Sequence, residues 1–315
     1  MHPDAVRRPT ARALRCLALG FVGVGLLAAA LTAPPATATA ASRPPDRAVS
    51  GLTVAVVGDI ACDPDDSAAY ELCRHEEVAN LVASQSPRAL LVPGDVQYDD
   101  GAYKDFLASY DLSWGRFLPF TYPVPGNHEY QTADATGYYR YFAKRTSPPG
   151  YYAFNLNNWR FYALNTECEE IDCAAERDWM LRDMRAHPAQ CQAMFMHRPL
   201  YGSAGHGSDT MPRRFWAVGY GLDFELALAG HNHVYERFAP MNANGDVVDG
   251  GIRSFVVGTG GKEKTATPAE TQHGSRFVDG SHYGALFLQL HTDSYAWRFQ
   301  AVDGSITDFG RGVCA

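Results

Sequence analysis

Asp59, Asp95, Asn127, His197, His231 and His233 offer carboxylate, amide and imidazole donors, the mixed set that suits a pair of divalent or trivalent ions between Mn and Zn. With two ions side by side, one carboxylate must bridge them. Five apolar runs end abruptly on one of these donors: VAVVGD at Asp59, ALLVPGD at Asp95, FTYPVPGN at Asn127, AMFMH at His197 and LALAGH at His231. In an α/β sheet the carboxyl ends of the strands form the rim where ligands bind, so such endings would gather their side chains in one cleft. In His231-Asn232-His233 one residue separates the imidazoles, so an extended segment projects both to one side and each can serve one ion. Packing or hydrogen bonding at a strand end is the plainer alternative for that pair. Gly58, Gly94, Gly126 and Gly230 each precede a donor, where glycine allows a sharp turn and close approach of an ion. Ordinary turn chemistry would use the same residues.

The elements that must carry these donors are legible in outline. Residues 52–59 form a β-rich apolar run, 71–84 has helical spacing at Val78, Leu81 and Val82, and 88–95 is a second buried strand, giving a β-α-β opening. A short helix over 102–110 and a Pro-interrupted strand lead into Asn127. The runs 151–156 and 159–164 flank Asn157-Asn158, which tolerate positive φ, and predict an antiparallel hairpin. A helix over 174–186 precedes the strand ending at His197. Three β-type runs, 252–257, 283–291 and 295–302, then finish the chain in antiparallel sheet, and 265–274 is the best candidate for a mobile surface loop.

In order, GD at Asp59, GDxxY ending at Tyr98, GNHE ending at Glu129, the histidine at His197 and GHxH ending at His233 resemble the five blocks of the calcineurin-like metallophosphoesterases, over residues 54–237. The resemblance implies an α/β fold of two mixed β-sheets packed as a sandwich and flanked by helices, four layers in all. Tyr98 resembles the tyrosine of the purple acid phosphatase branch: many relatives carry a DxH first block, whereas this chain has Ala61 at that position and GDIA in place of the common GDxG. By this resemblance the first metal is held by Asp59, Asp95, Tyr98 and His233, and the second by Asp95, Asn127, His197 and His231, with Asp95 bridging. A phenolate is a hard anionic donor, which implies Fe(III) at the Tyr98 site, with Fe(II), Zn or Mn at the second. Two ions about 4 Å apart would hold phosphate oxygens and lower the pKa of a bound water, so no phospho-enzyme and no Ser or Cys nucleophile is required.

Two histidines are the implied catalytic groups. His128, inside GNHE, resembles the family's substrate histidine, with Glu129 expected to orient it. His206 follows His197 where purple acid phosphatases place histidines that contact substrate and protonate the departing alkoxide, although Gly207 stands where that branch often has a second histidine. His75, His187, His273, His282 and His291 lie outside any block and are read as ordinary. The GTGG run at 258–261 is too short for a phosphate loop and reads as a turn near the site.

The whole chain narrows the setting. Arg7, Arg8, Arg12 and Arg15 precede an apolar stretch that ends in small residues, so 1–41 reads as a cleaved secretory signal and 42–315 as a single domain. The mature protein is expected to be secreted, with no stable membrane insertion; a retained anchor is the alternative. Losing four arginines and one aspartate takes the formal charge from −8 to −11, which argues against a nucleic-acid partner and requires local positive charge to draw in small phosphorylated substrates. Nothing in the residues fixes an oligomeric state. Cys62, Cys73, Cys168, Cys173, Cys191 and Cys314 allow fifteen pairings, of which proximity favours 62–73 and 168–173, leaving 191 with 314. The expected activity is phosphate monoester hydrolysis. The rivals are a phosphodiesterase or nucleotidase on the same site, a silent binding protein that keeps the fold, and a wall protein, which would carry tandem modules or anchoring tails.

Overall fold

The apolar runs form strands buried on both faces, and their alternate side chains feed two separate cores. The computed structural model describes residues 51–314. Along the chain come β1 (Leu52–Val56), β2 (Ala89–Pro93), β3 (Thr121–Val124), β4 (Tyr152–Leu156), β5 (Trp159–Ala163), β6 (Cys191–Met196) and β7 (Leu226–Ala229). After them come β8 (Tyr235–Phe238), β9 (Arg253–Val257), β10 (Ser275–Asp279), β11 (Gly284–Leu290), β12 (Ser294–Ala301) and β13 (Ile306–Val313). One sheet has the order β13-β12-β11-β1-β2-β3 and the other β10-β8-β9-β7-β6-β5-β4. Both are mixed. In the first, β1, β2 and β3 are parallel and β11, β12 and β13 antiparallel; in the second, β5, β6, β7 and β9 are parallel, bounded by antiparallel β4 and β8.

Side chains two apart on a strand share a face, which explains the unbroken apolar runs. Phe161, Ala163, Ala193 and Phe195 of the second sheet join Val54, Leu91 and Leu288 of the first in the core between the sheets. Tyr162, Met194 and Met196 point the other way, into a core with Met180, Met184, Phe215 and Trp216 of helices Cys173–Ala186 and Arg213–Tyr220. Helix His75–Ser84 packs its Val78, Ala79 and Val82 stripe against the first sheet at β11. The expected two mixed sheets flanked by helices are therefore observed. Helix Cys173–Ala186 starts where Asp172 accepts hydrogen bonds from the Ala174 and Ala175 amides, a side-chain cap on otherwise orphaned donors.

Several details differ from the sequence reading. The helix expected over 71–84 is two, Ser67–Leu72 and His75–Ser84, because Cys73 is tied to Cys62 and the Arg74 amide donates to Gly261 O at 3.0 Å. The 102–110 helix continues through an α-helical turn, Asp111–Trp114, into a 3-10 helix, Gly115–Phe120. β9 does not belong to the antiparallel finish: it pairs in parallel with β7 in the second sheet. All three favoured disulfides are present. The described residues fall in one compact unit, and the expected signal, 1–41, lies outside them. No helix among the described residues is long and apolar enough to cross a membrane.

Candidate metal centre

The ends of strands from both sheets are stitched together by backbone hydrogen bonds. Gly58 N donates to Val257 O at 2.9 Å, Asp59 N to Gly94 O at 3.2 Å, and Gly230 N to His197 O at 3.0 Å. Asp59, Asp95 and His231 take left-handed φ of 58°, 45° and 70°, a conformation rare for non-glycine residues that concentrates at functional sites. Close approach fixes the preceding glycines. A Cβ on Gly94 would come within 2.4 Å of His197 Nδ1, and one on Gly126 within 2.3 Å of Asp95 Oδ1.

The seven expected donors converge, and they form two groups that share Asp95. In the first, the Tyr98 hydroxyl lies 3.0 Å from Asp59 Oδ1, 3.0 Å from Asp95 Oδ2 and 3.0 Å from His233 Nε2. In the second, His197 Nε2 lies 3.0 Å from Asn127 Oδ1, 3.3 Å from Asp95 Oδ2 and 3.1 Å from His231 Nδ1. The other ring nitrogens are engaged: His197 Nδ1 donates to Pro93 O at 3.0 Å and His233 Nδ1 to Glu263 O at 2.7 Å. In neutral rings the Nε2 lone pairs therefore face inward, onto other lone pairs. Such a donor-poor cluster fits cations, because three acceptors around one phenol proton cannot all be satisfied by hydrogen bonds. Asp95, His197 and His231 alone offer three atoms within 4.8 Å of one another.

The electrostatics show the same demand for positive charge at the cluster. Burial opposes charge on His197, but the Asp95 carboxylate outweighs it and pushes the histidine up to about 10, while Asp95 itself is held far below the usual carboxylate range by His197 and His128 despite its burial. Burial and the neighbouring His197 push His231 down to about 2, keeping its lone pairs free for coordination. Burial, Asp59 and Asp95 raise the Tyr98 phenol well above its ordinary value, so it ionises only against strong local positive charge. Ala61, at the position of the missing histidine, is fully buried, and its carbonyl accepts from the Tyr98 amide at 2.8 Å.

His128 and His206 both border the cluster. The His128 ring is tilted against Tyr98 with centroids 4.3 Å apart, its Nε2 lies 3.9 Å from Asp95 Oδ2, and its Nδ1 meets the Asp99 carbonyl. His206 is exposed and stacks on His231, with centroids 4.4 Å apart and planes at 28°. Glu129 does not orient His128, contrary to expectation. It is fully buried and accepts from the amides of Val96 at 2.8 Å, Gln97 at 3.1 Å and Gly126 at 2.7 Å, tying the loop after β2 to the loop after β3. Three buried N–H groups need an acceptor, and only this carboxylate reaches them all. The ordinary histidines stay outside: His75 faces Ser113, His187 faces Asp183 and His282 faces Asp279.

The GTGG run does pass beneath the site, with Gly260 N donating to Gly58 O at 3.0 Å. Two further residues at the site were not marked by the motifs. Lys262 Nζ sits 4.7 Å from the Tyr98 ring centroid and 3.2 Å from Asp99 Oδ1, a cation beside the first group whose only sequence signal was its place after Gly261. Asn232, between the two motif histidines, is fully buried and faces the His206 loop rather than the donors.

A family model for calcineurin-like phosphoesterases matches residues 52–235. No curated protein sequence matches the chain. Among solved structures, the purple acid phosphatase PPD1 from yellow lupin (Lupinus luteus) seeds is similar with a TM-score of 0.63 at 19% identity, over 83% of this chain and 53% of its own. The chain thus spans about half of that enzyme's length. GAP50, the anchor in the inner membrane complex of Plasmodium, gives 0.63 at 12% identity over 84% of this chain and 89% of its own; PhoD gives 0.58 at 12% over 84% and 69%. These likenesses establish the fold. With the family model matched across more than half of the sequence, from β1 through the HxH segment, the chain belongs to the calcineurin-like phosphoesterases.

Proposed function

We propose that this protein is an exported phosphatase that hydrolyses phosphate monoesters with water at a two-metal centre. The observation that carries the reading is Asp95 Oδ2, 3.0 Å from the Tyr98 hydroxyl and 3.3 Å from His197 Nε2, one carboxylate oxygen common to both donor groups. Ions held by Asp59, Asp95, Tyr98 and His233 on one side, and by Asp95, Asn127, His197 and His231 on the other, would supply phosphate binding, water activation and charge neutralisation during in-line attack. The phenol of Tyr98 favours Fe(III) on its side, with Fe(II), Zn or Mn on the other. His128, beside both Tyr98 and Asp95, would donate to a phosphate oxygen, and exposed His206 would protonate the departing alkoxide. Three disulfides fit an oxidising compartment, which supports export.

The fold alone does not choose a function, since one neighbour of the same fold is named as an anchor. Choice between substrates rests on the wall beside Asn127. A cavity of about 490 Å³ there is lined by Tyr130, Gln131, Glu167, Glu169, Glu170 and Arg198, among others. Arg198 is already paired, 2.8 Å from Glu167 and 3.3 Å from Asp209, so the wall a leaving group meets is net negative. This supports small monoesters of neutral or amine-bearing alcohols over nucleotides and polyphosphates. A kinetic panel of glycerol 2-phosphate, phosphoethanolamine, ATP and bis(p-nitrophenyl) phosphate tests it on metal-loaded protein. The monoesters are expected to show the higher kcat/KM; preference for the bis-ester or for ATP overturns the reading in favour of a diesterase or nucleotidase, and phosphate binding without any turnover favours a silent binding protein.

A further inference from the structure

His206 sits on a loop, after β6 and before helix Arg213–Tyr220, with glycine on either side: Gly205 and Gly207 have φ of 61° and 75°. Glycine-flanked backbone is expensive to order, so the loop's partners decide where the ring stands. Two such partners come from the HxH segment and the strand after it. Glu236, fully buried on β8, accepts from the Ser203 amide at 2.8 Å and holds the base of the loop. Asn232 holds its tip: Oδ1 accepts from His206 N at 2.9 Å and Nδ2 donates to Gly207 O at 2.9 Å.

The clasp is tight and rigidly mounted. A Cβ on Gly202 would come within 2.3 Å of Asn232 Nδ2, and one on Gly205 within 3.3 Å of its Oδ1. Asn232's own backbone is pinned, its N–H donating to Gly230 O at 2.8 Å and its carbonyl accepting from Val234 N at 2.7 Å. Only a primary amide presents both a donor and an acceptor in this geometry; a carboxylate of the same shape cannot donate to Gly207 O.

We infer that Asn232 is a positioning residue, which locks His206 onto the turn that carries His231 and His233 so that the ring stands beside the reacting phosphate. The role of His206 rests on the proposed function; the clasp itself does not. One consequence is that Asn232 acts only through His206.

The test is a double-mutant cycle on metal-loaded protein, using Asn232→Ala and the isosteric Asn232→Asp, each with and without His206→Ala. Both Asn232 variants are expected to keep full metal content and near-normal KM while kcat falls about as far as in His206→Ala, by about 100-fold or more as for a misplaced general acid, with no further loss in the double variants. Amide hydrogen exchange over 202–208 is expected to rise about tenfold or more in Asn232→Ala, a readout independent of turnover. If the alanine variant does not fold, the aspartate variant carries the cycle. Multiplicative losses in the double variants, loss of metal along with kcat, unchanged kcat or unchanged exchange each overturn the inference. Absence of monoester turnover in the unsubstituted protein instead overturns the functional reading, and the exchange measurement still decides the clasp.

Discussion

The hydroxyl of Tyr98 and Nε2 of His233 lie 3.0 Å apart across 135 positions of sequence. Because His233 Nδ1 already donates to the Glu263 carbonyl, its Nε2 lone pair competes with the Asp59 and Asp95 oxygens for a single phenolic proton. In a buried site such an excess of acceptors is costly, and cations resolve it.

Tyr98→Phe should therefore change the colour of the protein. Iron-loaded protein is expected to show a violet tyrosinate-to-iron band that vanishes in the variant. A colourless, fully active Mn or Zn protein contradicts the iron assignment.

Asn127 and His197 serve only the second donor group, so Asn127→Ala or His197→Ala should halve the bound metal and spare the first site. The rate is expected to fall by about 1,000-fold or more, since a bound ion would lower the barrier by several kcal/mol. Near-normal rates at full metal content would count against the ligand map.

Glu129→Ala is predicted to destabilise the fold. It strands the buried amides of Val96, Gln97 and Gly126, each at about 1–3 kcal/mol. A urea titration should show a lower midpoint by several kcal/mol equivalent. Stability equal to the parent's would mean that water replaces the carboxylate without loss.

The three disulfides should rank by the chain they close. Cys191–Cys314 spans 123 positions, Cys62–Cys73 spans 11 and Cys168–Cys173 spans 5. Removing the first pair is expected to cost about 4–5 kcal/mol and the last pair least, on the loop-entropy account. Denaturant titrations of the three paired Cys→Ala variants check the order; a larger loss at 168–173 contradicts it.

The donor set was readable because each ligand-bearing strand is an apolar run cut off by a polar residue, and strand ends of this kind gather by topology. What escaped was whatever depends on a partner far away in sequence. β13, with Asp308, Gly310 and Gly312 and with exposed Ile306, Phe309 and Val313, has no inward apolar alternation. It is a strand partly because buried Asp308 meets Tyr235, Arg237 and Trp297. Glu129 and Asn232 were misread or missed for a related reason: their partners are backbone groups, which carry no residue identity. The membership of β9 in the second sheet, beside β7, is likewise a matter of topology rather than local pattern.

The proposed two-metal chemistry requires one aspartate, Asp95, to be shared by two cations. Anomalous X-ray scattering from crystals of the metal-loaded protein tests it most directly. Two peaks about 3.5–4 Å apart, flanking Asp95 Oδ2, are predicted. A single peak, or a pair that leaves Asp95 uncoordinated, would contradict it.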